Sequence, residues 1–248
     1  MKAIYVMWLR QLKRYWRSRG RMIGALGQPL LFLIALGFGF GPIYARAGGG
    51  DYIEFLAPGV IAMTILFSGM FSGIEVVWDR QFGFLKETLV APVSRLSIMI
   101  GKTLGGASVA MLQGSIVFLI TLLVGFRPSS LVHIPIAFLF MFLVSILFTA
   151  FGTAIASKLE DMQAFPIIIN FLIMPLFFLS GALFPLDDLH PGIKTVTLFN
   201  PLTYGVDAIR GALTGLSSFN LLIDFSVVAV SVVLVFVVGT YFFSKVEV

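Results

Sequence analysis

WDRQFGFLKETLVAPVSRLSIMIGK, residues 78–102, is the longest interior segment that a lipid bilayer would reject, and it lies between two long apolar blocks. Arg80, Lys86, Arg95 and Lys102 stand against Asp79 and Glu87, so the segment belongs in water or against a protein partner. Phe82, Leu85 and Leu89 fall at i, i+3 and i+7, one face of a helix. Pro92 would stop that helix near Val90. A short amphipathic helix between two membrane spans suits the docking of a partner. It would equally well cover its own apolar face at the membrane surface.

On either side of this segment the chain is apolar. Its 248 residues are 58% hydrophobic and 12% charged, with mean hydropathy +1.01, whereas soluble domains are about a quarter charged. The fold class this implies is all-α and polytopic, a single transmembrane domain over residues 1–248. Six stretches, 22–44, 55–77, 103–125, 131–157, 164–184 and 225–243, are long enough to cross ~30 Å of hydrocarbon at ~1.5 Å per residue. Residues 4–20 precede them as an interfacial helix, with Ile4, Met7, Trp8, Leu12, Tyr15 and Trp16 opposite Arg10, Lys13, Arg14 and Arg17. The uncharged run Met22–Tyr44 is 23 residues long. A signal-peptide core has about 7–15, so the run is expected to be a retained span.

The net charge of +5 is a topology signal and not a nucleic-acid surface, because most of the basic residues flank spans. With six crossings, thirteen Lys/Arg fall on the side of the termini, and only Arg46, Arg127, Lys194 and Arg210 fall opposite. Both termini are therefore expected in the cytoplasm, in a multi-pass protein of the cytoplasmic (inner) membrane. Before the last span lies an outer segment, residues 183–216, broken by Pro185, Pro191 and Pro201, in which Thr203–Leu213 suits a short helix. Such apolar, irregular backbone is expected to re-enter the membrane under protein cover, the alternative being a cap on the headgroups. The small-residue pairs Gly37/Gly41, Gly69/Gly73 and Gly101/Gly105 allow close helix approach, within the bundle or in a dimer.

A search for chemistry returns negatives. With no Cys, disulfides, thiol chemistry and Cys-ligated metals are excluded. Gly101-Lys102-Thr103 resembles the end of a phosphate-binding loop, but Leu96 stands where the first glycine belongs. His133 and His190 match no metal spacing, and Asp187-Asp188 and Glu160-Asp161 look like solvated ends. No catalytic residue, metal or cofactor is expected on this chain. Glu75 is the one charged residue inside a span. A central charge costs about 2.5–3.5 kcal/mol, less near the headgroups. It is expected to pair with Arg80 or with the N-terminal arm, or to act as a gate, with a proton relay as the alternative.

Two stretches carry a resemblance. The loop DRQFGFLKETLVAPVSR, followed by Gly101-Lys102, resembles the coupling-helix region of the type 2 family of ATP-binding-cassette exporter permeases. LSGALFPLDDL at Leu179–Leu189 and NPLTYGVDAIRG at Asn200–Gly211 are similar to that family's outer signature, and the likeness is nearest to the daunorubicin-resistance-like multidrug exporters. Polysaccharide and nodulation-factor permeases share much of the pattern. The resemblance implies a homodimer in membrane lipid, with ATP and Mg bound on a separate nucleotide-binding ATPase subunit and an amphipathic or lipid-linked substrate. It maps ATPase docking onto Asp79, Arg80, Phe82, Leu85, Leu89 and Arg95. The outer re-entrant signature maps onto Gly181, Pro185, Pro201, Tyr204 and Arg210.

Overall fold

The computed structural model describes residues 2–46, 50–90, 92–159, 161–186 and 190–245, with the side chains of all of these except Arg21, Leu85, Lys86 and Leu89. Among them there is no strand. Eleven helices follow in order: α1 (Lys2–Arg17), α2 (Arg19–Arg46), α3 (Tyr52–Ser72), α4 (Ile74–Gln81), α5 (Phe84–Val90), α6 (Arg95–Val124), α7 (Ile134–Ala156), α8 (Ala164–Phe178), α9 (Pro191–Leu198), α10 (Pro201–Thr214) and α11 (Leu221–Ser244). Local chemistry sets several of their starts. Asp51, Ser94, Asn200 and Asn220 each accept a backbone N–H from the first turn of the helix they precede. Pro201 occupies the first position of α10, where its missing N–H costs nothing.

Helix α3 is the centre of the bundle. Its most apolar window is 72% buried, against 17% for the window in α2 and 11% for the one in α11. The outer faces of α2 and α11 are therefore left for lipid or a partner. Small residues set the crossings. A Cβ on Gly73 would lie 2.3 Å from the carbonyl of Gly152 in α7, and one on Gly105 would lie 2.5 Å from Gln11 Cβ in α1. Gly69 and Gly101 meet the same two neighbours, so those two pairs build this bundle. Gly41 meets nothing within 4 Å.

Among the described residues, five helical stretches are long and apolar enough to cross a membrane: Met22–Arg46, Tyr52–Gln81, Arg95–Val124, Leu131–Ala156 and Leu221–Ser244. The span expected over 164–184 is shorter as a helix, because α8 ends at Phe178 after 15 residues. That length covers ~22 Å, less than a bilayer core. Leu179 caps α8, and Gly181, two residues further on with φ 72, turns the chain. The chain nevertheless continues alongside α3, from the ring contact of Phe165 with Phe71 to Tyr52, whose hydroxyl donates to the Leu183 carbonyl at 3.1 Å.

The segment over 78–102 also differs from its expected form. Its ends are helical, since α4 extends α3 to Gln81 and α6 begins at Arg95, and each carries a buried charge, Asp79 and Lys102. The short helix that remains, α5, ends at Val90, two residues before Pro92. The outer block divides in two: every residue from Leu202 to Arg210 in α10 is buried against α3, α7 and α11, whereas α9 is exposed except at Thr197.

Candidate functional site

Glu75 and Asp79 lie four residues apart on α4, so they share a face, and Arg10 and Arg14 are spaced alike on α1. The packing of α1 on α6 brings the four together with Lys102. Asp79 Oδ1 is 3.0 Å from Arg10 Nη2, and its Oδ2 accepts from Lys102 Nζ at 2.5 Å. Arg14 Nη1 lies 3.6 Å from Glu75 Oε2 and 3.9 Å from Asp79 Oδ1. The Asp79 and Lys102 side chains are 6% and 5% exposed, whereas Arg10 and Arg14 are 32% and 33% exposed. Among these five residues, three cations stand against two carboxylates. The Arg10 guanidinium also lies 3.5 Å from the centre of the Phe84 ring, which ties α5 to the cluster.

The structure separates the residues expected to dock an ATPase. Phe82, which caps α4, is 79% exposed. Arg80 is half-buried, and Arg95 is exposed and donates to the carbonyl of Ser244 at the end of α11. Asp79 was expected on the docking surface, but it is buried inside the ion-pair cluster. The reason is electrostatic: Lys102, one turn or more inside α6, needs its carboxylate. The backbones of Leu85 and Leu89 are on α5, and their side chains lie outside the described ones. Glu75 meets the N-terminal arm, one of the two partners expected for it.

Beside the cluster is a cavity of about 450 Å³ bounded by α1, α2, α3, α4 and α6. Phe67, Phe71, Met63 and Pro29 supply apolar wall, and Gln11, Gln28, Gln113 and Trp78 supply polar groups. Gln113 Nε2 donates to the Tyr15 hydroxyl at 3.0 Å. Its Oε1, and Trp78 Nε1, have no hydrogen-bond partner among the described residues. An apolar slot with one spare acceptor and one spare donor suits an amphipathic molecule.

At the opposite end Arg210 is 7% exposed. Its Nη2 donates to the carbonyls of Gly181 at 2.8 Å and Phe55 at 3.4 Å, and its guanidinium lies 4.1 Å from the Phe55 ring centre. Burial pushes this group down to about 10, with Asp207 opposing, so it stays charged at neutral pH. Asp207 does not touch it, because both its oxygens accept backbone N–H groups of Ser218 and Phe219. Tyr204 donates to the Leu198 carbonyl at 2.9 Å, holding α9 to α10. Pro185 is half-buried in the turn after α8, and Pro201 opens α10. Arg210 and Gly181 are thus in contact, with Pro201 and Tyr204 bracketing the same block.

Residues 2–214 match the family model described as ABC-2 type transporter. The chain belongs to the ABC-2 type transporter family. Within it, the chain is 31% identical over 192 residues to a putative transport permease ycf38 of Cyanophora paradoxa, covering 76% of this chain and 66% of that one. It is 30% identical over 218 residues to the ycf38 protein of Pyropia yezoensis, covering 85% and 73%. It is 26% identical over 223 residues to nodulation protein J of Rhizobium leguminosarum bv. viciae, covering 88% and 85%. As an ABC-2 permease it is a transport subunit, and the family implies an ATP-binding partner subunit.

The residues that the sequence reading missed are Arg10, Arg14 and Lys102 as members of one cluster, and Tyr15 and Gln113 as cavity wall. A signal existed for the first two. Arg10/Arg14 and Glu75/Asp79 are oppositely charged pairs with the same i, i+4 spacing, which two adjacent helices can bring into register.

Proposed function

We propose that the chain is the membrane-spanning subunit of an ATP-driven exporter that moves an amphipathic drug-like or lipid-linked molecule out of the cytoplasm. ATP and Mg are bound and hydrolysed on a separate nucleotide-binding subunit, and two copies of this chain pair in the membrane. On this reading the chain crosses six times, with α8 and its following turn as the fifth crossing and both termini in the cytoplasm. The observation that carries it is the contact of Arg10 with both Phe84 and Asp79. A partner pressing on Phe82 and α5 would move Phe84, and Arg10 would pass that displacement to Asp79 on α4 and Lys102 on α6. Both helices bound the cavity, so closing of the partner subunits would change its shape.

The match to a nodulation protein favours a second reading, in which the cargo is a polysaccharide or lipid-linked glycan moved by the same machinery. Gln11, Gln28 and Gln113 in the cavity wall suit sugar hydroxyls as well as a drug's polar groups. An ATP-independent ion-coupled carrier or channel is the rival that the experiment must separate.

The test is affinity purification of the full chain from its native membranes, with ATPase activity assayed on what accompanies it. A nucleotide-binding protein should co-purify with wild type and be lost on Phe82→Asp combined with Leu85→Asp. A chain that purifies alone and conducts ions in liposomes without ATP would replace this reading with the carrier.

A further inference from the structure

Asp224, in the first turn of α11, is 1% exposed, and neither of its carboxylate oxygens has a hydrogen bond or ion pair among the described residues. It lines a cavity of about 180 Å³ together with His133, Ile136, Ala208, Gly211, Ala212, Ser217 and Leu221. A carboxylate withdrawn from water without a partner is among the costliest groups a fold can carry. The nearby titratable groups do not relieve it: His133 shares the cavity but makes no hydrogen bond or ion pair with it among the described residues. Arg210, on the neighbouring helix α10, is committed to the carbonyls of Phe55 and Gly181. Asp207 on the same helix is a second carboxylate, held by the backbone N–H groups of Ser218 and Phe219, and it adds negative potential.

We propose that this cavity is a binding site for the primary ammonium group of an amine, with Asp224 as its counter-ion. The lining selects among cations. A calcium or magnesium ion takes about six or more oxygen ligands, and here the side chains supply only the Asp224 carboxylate and the Ser217 hydroxyl as oxygens. Zinc would need about three or four ligating side chains, and among the described residues His133 and Asp224 have no third such partner. An ammonium needs three acceptors, and its attached methylene groups fit the walls of Ala208, Gly211, Ala212 and Leu221. A volume of about 180 Å³ equals roughly six water molecules at ~30 Å³ each, enough for an ethylammonium-sized head but not for a whole amphiphile. The cavity adjoins the outer end of α11, where Leu222 and Ile223 are 73% and 50% exposed on an apolar face. Aminophospholipid headgroups and soluble amines can both present the group at that level. The site is independent of ATP-driven export and would survive the failure of that reading.

The experiment is thermal unfolding of the full chain in neutral detergent, titrated with phosphatidylethanolamine or with phosphatidylcholine of identical chains. Parallel titrations use ethylammonium and tetramethylammonium. Charge-assisted hydrogen bonds should make half-saturation by phosphatidylethanolamine about tenfold lower than by phosphatidylcholine, whose quaternary head donates none. That preference should vanish in the near-isosteric Asp224→Asn. It should vanish also in Ala212→Leu, which fills the cavity and keeps the carboxylate. If ethylammonium alone reproduces the shift, the site takes soluble amines; if only the lipid does, it takes a headgroup. Equal responses to the two lipids with no ethylammonium effect, or a preference that persists in both variants, would overturn the proposal.

Discussion

The two ends of the bundle bury charge by different means. At the α1–α4–α6 end, Asp79 and Glu75 meet Arg10, Arg14 and Lys102, side chain to side chain, across three helices. At the α10 end, Arg210 meets the carbonyls of Gly181 and Phe55, and Asp207 meets the N–H groups of Ser218 and Phe219, side chain to backbone. Ion pairs between long side chains can exchange partners, and the two arginines, a third exposed, remain in reach of salt. Backbone partners cannot leave without moving the main chain. The first arrangement suits an end that must transmit movement from α5, and the second suits an end that must hold its shape.

The sharpest way to break this contrast is Asp79→Asn. It strips the buried Lys102 of its carboxylate and leaves Arg10 with only the Phe84 ring. Removing one partner of a buried pair costs about 3–5 kcal/mol, so the variant should unfold well below wild type in detergent. Adding Lys102→Met should recover part of that loss. A variant as stable as wild type would mean that the cluster is wet and the pairs are interchangeable surface bridges.

Next in size is Arg210→Lys, which keeps the charge but not the planar guanidinium that donates to two carbonyls through Nη2 and stacks on Phe55. Hydrogen bonds to charged groups contribute about 1.5–3 kcal/mol each, and a loss in that range is expected, read as a fall in unfolding temperature. Unlike the loss at Asp79, it should be insensitive to salt. Gly59→Ala sharpens the point. Its Cβ would fall 2.2 Å from the Ala182 carbonyl oxygen, beside the turn that presents the Gly181 carbonyl to Arg210. Overpacking alone costs about 1–3 kcal/mol, and because both substitutions disturb one turn, the double variant should lose less than the two single losses added together.

These ends were unequally legible in the sequence. Helix class, the five long apolar helices and the stop near Val90 follow from hydropathy and from Pro92, which act locally. The block from Pro201 to Arg210 stood out by resemblance, and its helix starts where Asn200 and Pro201 place it. The cluster was not legible, because Asp79 and Lys102 read as charges that exclude a segment from lipid. Their burial depends on α1 packing over them, and that depends on Gly101 and Gly105 opening α6 to Met7 and Gln11. Nor did hydropathy show that α8 stops at Phe178, because residues 179–183 carry no charge that would mark an end. The chain turns over residues 179–181, where Gly181 takes φ 72.

The smallest expected effect on stability is that of Arg14→Gln, and it separates holding from transmitting. Arg14 stands 3.6 Å from Glu75 and 3.9 Å from Asp79, is 33% exposed, and lies with its guanidinium 5.1 Å from the Trp78 ring. Pairs of that length and exposure contribute about 0–1 kcal/mol, so the unfolding temperature should barely move. Its place between α1 and the Trp78 wall of the cavity is nevertheless where a displacement of α1 would be felt. If the cluster transmits, Arg14→Gln should lower substrate-stimulated ATPase activity of the assembled complex several-fold while leaving basal hydrolysis intact. High salt should reproduce part of the same defect in wild type. A variant with normal stimulation would confine transmission to Arg10, Asp79 and Lys102, and make Arg14 only a partial screen for Glu75.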